Sequence, residues 1–107
     1  MTIRTITIIG EGELKAKLQE LFSKADFKVI VSDLSQDYAK QASNADLVLE
    51  TVSEDIALKT EVFKKCDVKC HEQAILATTT AAPWITQLAK ATGRPEKVVG
   101  LNFTKNP

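Results

Sequence analysis

The feature that most constrains the fold is an isoleucine-rich run that ends at two closely spaced glycines. Residues 3–9 form this run, Gly10 and Gly12 follow it, and a helical pattern begins after them. Glycines at such positions let a strand turn sharply into a helix, whose free N–H groups bind a pyrophosphate. Asp33 ends a second apolar run about 20 residues later, where a carboxylate meets ribose hydroxyls. The pattern predicts most of a dinucleotide-binding βαβ unit.

Lys15 occupies the place of a third glycine in this pattern. That glycine normally lets the helix and the strand approach each other closely. A long cationic side chain there must point away, reshape the turn or occupy the space of a pyrophosphate. We therefore expect a weakened site. In the alternative reading, Gly10 and Gly12 serve only a tight turn, and Asp33 is a loop carboxylate or the N-cap of a short helix.

Length and charge narrow the class of protein. A chain of 107 residues predicts one small domain over residues 1–107. It has 14 Lys and Arg against 14 Asp and Glu, so no net field favours nucleic acid or an anionic membrane. The apolar runs are shorter than the ~20 residues of a membrane span, and the first strand starts too early for a signal peptide. We expect a cytoplasmic protein without a nucleic-acid or membrane partner.

The cysteines do not point to a metal site. Cys66 and Cys70 are four residues apart on a predicted helix and share one face, and His71 is the only histidine. A zinc site needs more ligands than these. We expect no bound metal, two buried reduced thiols, and a surface or helix-end position for His71.

Apolar periodicity predicts a regular alternation of strand and helix without a linker or repeat. The fold class is α/β, a doubly wound, parallel, five-stranded Rossmann-like sheet in three layers. Ser35 is the expected N-cap of the second helix, and Leu14, Leu18, Leu21, Phe22 and Ala25 form the core stripe of the first. The predicted strands are Arg4–Ile9, Phe27–Ser32, Asp46–Thr51, Ala74–Thr78 and Lys97–Leu101, and the predicted helices are about Glu13–Ala25, Gln36–Ser43, Ile56–Lys69 and Pro83–Ala91.

The second half of the chain carries a more specific signal. Residues 45–63, 74–78, 91–95 and 100–101, in this order, resemble the NAD-binding domain of the 3-hydroxyacyl-CoA dehydrogenases, including the 3-hydroxybutyryl-CoA enzymes. The resemblance covers nearly the whole chain. Enzymes of this family oxidise 3-hydroxyacyl-CoA to 3-oxoacyl-CoA with NAD in fatty acid metabolism. The resemblance therefore implies an oxidoreductase domain with NAD as its cofactor.

The same resemblance implies further cofactor-binding residues. A Glu and a Lys five residues apart contact NAD in the family, and the matching positions are Glu54 and Lys59. An Asn before a Pro also contacts the cofactor, and it matches Asn106 if the loop holds one inserted residue. Without the resemblance, Glu54 and Lys59 read as solvated charges around the start of the third helix, where Glu54 suits the helix dipole.

The sequence differs from the family at the residues that carry out the family's reaction. Its Asn-Thr-Ser-Ser turn reads Thr79-Thr80-Ala81-Ala82 here, and its general-base His is replaced by Asn102, which cannot accept a proton near neutral pH. A helical hairpin that contacts CoA in the family has no counterpart after Asp33. The family's helical C-terminal domain has none either. We expect a truncated domain that binds NAD(H) weakly and has no catalytic residue of its own.

Three functions follow from these observations. The chain is an NAD-binding half that needs a separate catalytic chain, or a non-enzymatic nucleotide-sensing or protein-interaction module in which Lys15 and residues 78–80 bind another phosphate ligand or a partner. The third function is a ligand-free scaffold that forms a homodimer through an open sheet edge. Trp84 is expected to pack rather than to stack on a nucleotide, but its nearness to the turn after the fourth strand leaves a ligand contact open.

Overall fold

The computed structural model describes residues 2–80 and 84–101, which form one parallel sheet with helices on both faces. A short 3₁₀ turn, Pro95–Lys97, precedes the last strand. The strands are β1 (Thr5–Gly10), β2 (Lys28–Ser32), β3 (Leu47–Thr51), β4 (Ile75–Thr78) and β5 (Val98–Gly100), and the helices are α1 (Glu13–Lys24), α2 (Tyr38–Gln41), α3 (Ile56–Lys69) and α4 (Trp84–Lys90).

The strand order is β2-β1-β3-β4-β5, so the chain changes direction across the sheet between β1 and β3. Every described pairing is parallel, and Ile8 of β1 lies between Val31 of β2 and Leu49 of β3. In such sheets, ligands bind outside the carboxyl ends of the strands at the point where the order reverses. The predicted Rossmann-like α/β fold is confirmed, and its expected binding edge is the one that carries Gly10 and Thr51.

Two apolar cores cover the two faces of the sheet. On one face, α1 packs against β1 and β2, and its Leu18 lies in a buried core with Ile6 and Leu49. On the other face, α2, α3 and α4 cover the sheet, and Phe63 and Leu88 lie in that core. This three-layer arrangement leaves the carboxyl edge as the place where loops from β1, β3 and β4 meet.

The core stripe of α1 is narrower than predicted. Leu18 is buried, whereas Leu21 is 54% exposed and Ala25 is exposed. Phe22 packs edge-on against Phe27, with ring centroids 5.9 Å apart. This contact centres the buried side of the helix on Leu18 and Phe22, so the predicted core positions of Leu21 and Ala25 are wrong.

Helix α2 is shorter than predicted, and the predicted N-cap, Ser35, is wrong. Asp37, not Ser35, is the N-cap, and its carboxylate accepts the N–H of Lys40 at 3.3 Å. The backbone N–H of Ser35 instead donates to Asp33 Oδ1 at 2.9 Å. Because this side chain–backbone turn uses residues 33–36, the helix starts only at Tyr38.

The strand boundaries shift by about one residue. At the amino edge of the sheet, Asp46 Oδ2 accepts the N–H groups of Arg4 at 2.8 Å and Thr5 at 3.0 Å. These two N–H groups therefore bind a side chain instead of the backbone of a neighbouring strand. At the other end of the chain, Lys97 belongs to the 3₁₀ turn, and β5 starts at Val98 rather than at Lys97. The predicted start of α4 at Pro83 lies outside the described residues.

Candidate functional site

The glycine turn places the backbone of Gly10 directly against Thr51 of β3. Gly10 has φ 147° and Gly12 has φ 89°, a region that favours glycine. A Cβ on Gly10 would overlap the Thr51 hydroxyl, which donates to the carbonyl of Ile9 at 3.1 Å. The close approach leaves a crevice of about 180 Å³, bounded by this turn and the end of β3. Its lining residues are Gly10, Glu11, Leu34, Thr51, Val52 and Ser53.

Asp33 stands at the end of β2 beside this crevice. Its carboxylate accepts the hydroxyl and the N–H of Ser35, and these hydrogen bonds lower the pKa of Asp33 below its usual value. The positive charge of Lys15 acts in the same direction and is close enough to contribute. Lys15 is half-buried, and its charge therefore acts on the expected ribose carboxylate from the third glycine position. The predicted loop reading of Asp33 agrees with its turn, but Asp33 does not cap α2.

Glu50 forms the buried centre of a second group of polar residues. It lies in β3 with 0% exposure, although it carries a carboxylate. Its Oε2 accepts the Lys59 ammonium at 2.7 Å and the N–H of Val52 at 2.5 Å, and its Oε1 accepts the Thr78 hydroxyl at 2.6 Å. Such a buried carboxylate is tolerated only when its oxygens are paired and hydrogen-bonded.

Lys59 reaches this carboxylate from the first turns of α3. The helix starts after Asp55, whose carboxylate caps the N–H groups of Ala57 at 3.0 Å and Leu58 at 3.2 Å. The cap fixes the start of α3, which turns Lys59 inward so that its side chain is only 2% exposed. The alternative reading of Lys59 as a solvated charge is therefore wrong, and Lys59 is one of the most buried side chains of the described residues.

Glu54 remains at the surface of the same group. Its side chain is 70% exposed, and Oε1 lies 3.5 Å from Lys59 Nζ. The hydroxyl of Thr80, after β4, donates to Glu54 Oε2 at 2.9 Å. A cavity of about 300 Å³ lies here, and its lining residues are Glu54, Ile56, Lys59, Thr80 and Trp84. Trp84 is 41% exposed and lines this cavity, a position compatible with the ligand contact that the sequence leaves open for it.

The predicted site residues that the structure describes thus lie at two cavities, the crevice at the glycine turn and the cavity beside Glu54. Gly10 lines the first crevice, and Gly12 and Asp33 lie beside it. Glu54 and Lys59 line the second cavity. Asn106 lies outside the described residues, as do Ala81, Ala82 and Asn102, so the structure places none of the departures predicted for these positions.

Sequence reasoning missed Glu50, and it considered the hydroxyls of Thr78 and Thr80 only as ligand-binding groups, whereas they donate to Glu50 and Glu54 here. The signal was present, because Glu50 interrupts an apolar run in a strand expected to be buried on both faces. A carboxylate at such a position needs a cation, and a lysine that follows on the next helix is the natural candidate.

The cysteines and His71 lie at the opposite edge of the sheet. Cys66 and Cys70 are free and buried, as predicted, and the pKa of Cys66 is raised by a hydrogen bond with Cys70 and by burial. His71 Nε2 lies 3.4 Å from Asp46 Oδ1 at the surface. Within residues 2–80 and 84–101 no three His, Cys, Asp or Glu side chains cluster in a way that would hold a metal ion.

Solved structures that are similar to this chain include a 3-hydroxybutyryl-CoA dehydrogenase. The chain superposes on 3-hydroxybutyryl-CoA dehydrogenase of Escherichia coli with a TM-score of 0.87 at 21% identity, over 98% of this chain and 30% of that one. FadB2 of M. tuberculosis gives a TM-score of 0.86 at 21% identity, over 98% of this chain and 50% of that one. At this identity the likeness shows a shared fold. None of the described helices is long and apolar enough to cross a membrane.

Sequence comparison is more specific. A 3-hydroxybutyryl-CoA dehydrogenase of Clostridioides difficile is 37% identical over 97 residues, which are 90% of this chain and 32% of that enzyme. A probable 3-hydroxybutyryl-CoA dehydrogenase of Bacillus subtilis is 35% identical over 82 residues, 76% of this chain and 29% of that protein. The chain thus spans about a third of the length of these relatives.

The family model matches the part of the chain that contains the Glu50 group. It is the model of the 3-hydroxyacyl-CoA dehydrogenase NAD-binding domain, and it covers residues 34–107. The glycine turn and Asp33 precede the matched range. The match spans well over half of the chain, and the chain therefore belongs to the 3-hydroxyacyl-CoA dehydrogenase family through its NAD-binding domain.

Proposed function

We propose that this chain binds NAD(H) weakly at the carboxyl edge of its sheet and does not transfer hydride by itself. The observation that carries the proposal is the close approach of Gly10 to Thr51 at the point where the strand order reverses. A Cβ at Gly10 would overlap Thr51, whereas glycine lets the turn lie against β3 and leaves its backbone open to a pyrophosphate. The residues present therefore fit a dinucleotide, in a domain whose family model is named for NAD binding.

Each residue has a definite task in the proposed complex. The N–H groups that follow Gly10 and Gly12 point from the start of α1 toward the pyrophosphate, which the helix dipole favours. Asp33 accepts hydrogen bonds from the adenosine ribose hydroxyls, and its charge disfavours a 2′-phosphate. Glu54, Lys59 and Asn106 complete the proposed binding set on the nicotinamide side. NAD supplies a hydride acceptor when bound, and these residues bind and orient it.

Lys15 and Asn102 explain the two limits of the proposed activity. The cation of Lys15 lies within range of Asp33 and reduces the negative field that ribose hydroxyls would meet. Asn102 replaces the expected general base, because an amide cannot take the proton of a 3-hydroxyl group near pH 7. Dehydrogenation of a 3-hydroxyacyl-CoA then needs groups from another part of a longer protein or from a separate catalytic chain.

Calorimetric titration with NAD⁺, NADH and NADPH tests the binding proposal. We expect saturable binding of NAD⁺ and NADH, weaker binding of NADPH, and no oxidation of NADH when acetoacetyl-CoA is added. Asp33→Ser should narrow the difference between NADH and NADPH, whereas Asp26→Ser, an exposed carboxylate in the turn before β2, should leave it unchanged. No binding of either NAD form at millimolar concentration would overturn the proposal.

A non-enzymatic nucleotide-sensing module is the second candidate, and Lys15 is the observation that favours it. A cation at the start of α1 adds a phosphate-binding group that the dinucleotide pattern does not require. The same titration with ADP and ATP separates the two candidates, because tighter binding of ATP than of NADH would favour the sensor. A single domain, a cytoplasmic location and a homodimer remain predictions that sedimentation and localisation experiments test.

A further inference from the structure

Lys59 brings a positive charge to the wall of the cavity beside Glu54. Its ammonium group donates to Glu50 Oε2 at 2.7 Å and to the Val52 carbonyl at 2.8 Å. An ammonium group has three N–H donors, so one donor remains for the cavity, where Glu54 Oε1 lies 3.5 Å away. Lys59 is therefore both a buried ion-pair partner and a lining residue of the cavity.

Glu50 lies behind Lys59 and carries a buried negative charge. Each of its described partners donates a hydrogen bond to it: the Lys59 ammonium, the N–H of Val52 and the Thr78 hydroxyl. An ionised carboxylate only accepts hydrogen bonds, whereas a protonated carboxyl group would donate one. The three donors therefore identify the ionised form of Glu50.

The charges of Glu50 and Lys59 balance each other next to the cavity. Both side chains are buried, and solvent screens a buried charge much less than an exposed one. An unbalanced Lys59 ammonium would therefore repel any cation that enters the cavity. Glu54 is mostly exposed, so solvent screens its charge and it cannot replace Glu50 in this role.

This balance matters because the two forms of the proposed cofactor differ in charge at one ring. The nicotinamide ring is a cation in NAD⁺ and is neutral in NADH. The proposed complex places this ring on the side of Glu54 and Lys59, where Trp84 also lines the cavity. An aromatic side chain attracts a cation and also packs against a neutral ring, so Trp84 accepts both forms.

We infer that Glu50 is a specificity-determining residue that balances the charge of Lys59, so that the cavity accepts the cationic ring of NAD⁺ as well as the neutral ring of NADH. The inference deepens the proposed NAD(H) binding and rests on it. Lys59 can then donate a hydrogen bond to the cofactor without repelling its oxidised form. The Thr78 hydroxyl and the N–H of Val52 hold the Glu50 carboxylate in place for this role.

Calorimetric titration with NAD⁺ and NADH tests the inference through the ratio of the NAD⁺ dissociation constant to the NADH dissociation constant. Glu50→Gln leaves Lys59 unbalanced and should raise this ratio about tenfold. Lys59→Met leaves Glu50 unbalanced and should lower it about tenfold. Glu50→Gln/Lys59→Met leaves no unpaired charge, so it keeps its fold, and its ratio should stay within about twofold of the wild-type ratio.

A purely structural pair would weaken both cofactor forms equally and leave the ratio unchanged. Ratios within about twofold of the wild-type ratio in both single variants, or shifts in the same direction, would therefore overturn the inference. A change of about fivefold or more in the double variant would overturn it too, even where the single variants do not fold.

The matched controls break an exposed ion pair of the same helix. Lys65 Nζ lies 3.4 Å from Glu61 Oε2, and both side chains are more than half exposed. Glu61→Gln and Lys65→Met should each leave the ratio unchanged, because solvent screens these charges. A shift in the controls as large as in the Glu50 and Lys59 variants would overturn the assignment to the buried pair.

Trp84 provides a measurement that needs neither a variant nor a dinucleotide. It is the only tryptophan of the chain, so its fluorescence reports on the cavity that it lines. The two probes are neutral nicotinamide and the cation formed by methylation of its ring nitrogen. The cation should bind no more than about threefold more weakly than the neutral probe. A larger difference, or no saturable quenching by either probe, would overturn the inference.

The two measurements separate the inference from the proposed function. Saturable binding of both NAD⁺ and NADH with unchanged ratios in the single variants would contradict the role of Glu50 alone. Absence of saturable binding of either form by the wild-type chain would overturn the proposed function and, with it, the cofactor preference.

Discussion

Gly10 and Gly12 occupy one turn but meet different surroundings. A Cβ on Gly10 would lie 2.9 Å from the Thr51 carbonyl carbon and closer still to the Thr51 hydroxyl, whereas a Cβ on Gly12 meets nothing within 4 Å. Both have positive φ angles that an L-residue adopts only with strain. Backbone strain therefore applies at both positions, and a steric clash applies at Gly10 alone.

This difference predicts unequal losses of stability. Gly12→Ala should lower the free energy of unfolding by about 1 kcal/mol, and Gly10→Ala by about 3 kcal/mol, because the second variant must also push β1 and β3 apart. Urea unfolding followed by circular dichroism measures both. Equal losses would mean that Thr51 moves aside easily, and that the close approach of the two strands contributes little.

Lys15 can weaken NAD⁺ binding through the bulk of its side chain or through its charge, and two variants separate these causes. Lys15→Gly removes both and should tighten NAD⁺ binding by at least about 1 kcal/mol, the size of one relieved clash or strained contact. Lys15→Met keeps most of the bulk but removes the charge that acts on Asp33. Calorimetric titration distinguishes the two causes, since tightening in both variants indicates the charge and tightening in the glycine variant alone indicates the bulk.

At the scale of elements, Arg94 fixes the end of α3. Its guanidinium donates to the carbonyls of Asp67 at 2.9 Å, Cys70 at 3.2 Å, His71 at 2.7 Å and Ala74 at 3.0 Å. Its Nε also donates to the Asp67 carboxylate at 2.7 Å. The last carbonyls of a helix lack intrahelical partners, and one buried arginine supplies them here.

Loss of Arg94 should therefore cost much more than loss of an ordinary surface cation. Arg94→Ala is expected to lower the free energy of unfolding by about 3 kcal/mol, since several carbonyls and a carboxylate lose a buried partner together. Arg94→Lys should recover only part of this loss, because an ammonium group cannot donate to all of these carbonyls and the carboxylate at once. Lys90→Ala, on exposed α4 surface, is the control, and a loss of similar size there would contradict this account.

The same contact makes stability sensitive to acid. Burial opposes the charge of Asp67, but the Gly93 N–H and the Arg94 guanidinium outweigh it and hold the pKa of Asp67 below its usual 3.8. A lowered carboxylate pKa stabilises the fold above the unfolded-state value and loses this contribution as pH falls through the lower folded-state value. Unfolding midpoints between pH 5 and 2 should fall less steeply in Asp67→Asn than in the wild type, and identical slopes would contradict the assignment.

Periodicity was a good guide to long elements and a poor one to short ones. It predicted α3 with its observed ends, Ile56–Lys69, because the capping Asp55 and the apolar spacing agree. It failed at α2, because the residues expected to begin the helix belong to the turn in which Ser35 donates to Asp33. Such a turn depends on local side-chain hydrogen bonds, which compete with helix formation and leave no periodic signal.

At the scale of the whole molecule, the sequence predicted the edge of the sheet that carries the site but not how its residues share it. Strand alternation and the glycine pair were sufficient to place Gly10 and Asp33 at the carboxyl ends of β1 and β2. The carboxylate of Glu50 in an apolar strand indicated that a buried cation was needed, but not that a hydroxyl of β4 would join it. That result depends on the register of β3 against β4, which brings Glu50 beside Thr78, and no local pattern encodes such a long-range pairing.

Because the proposed site joins loops from β1, β2 and β3, occupancy should stabilise the whole sheet. A ligand at ten times its dissociation constant adds about 1.4 kcal/mol, which corresponds to a rise in Tm of about 6 °C for a domain of this size. Hydrogen exchange with saturating NADH locates the effect. Amides of Gly10 and Val52 at the carboxyl edge should gain more protection than those of Thr5 and Asp46 at the amino edge. A uniform gain, or an unchanged Tm, would contradict binding at this edge.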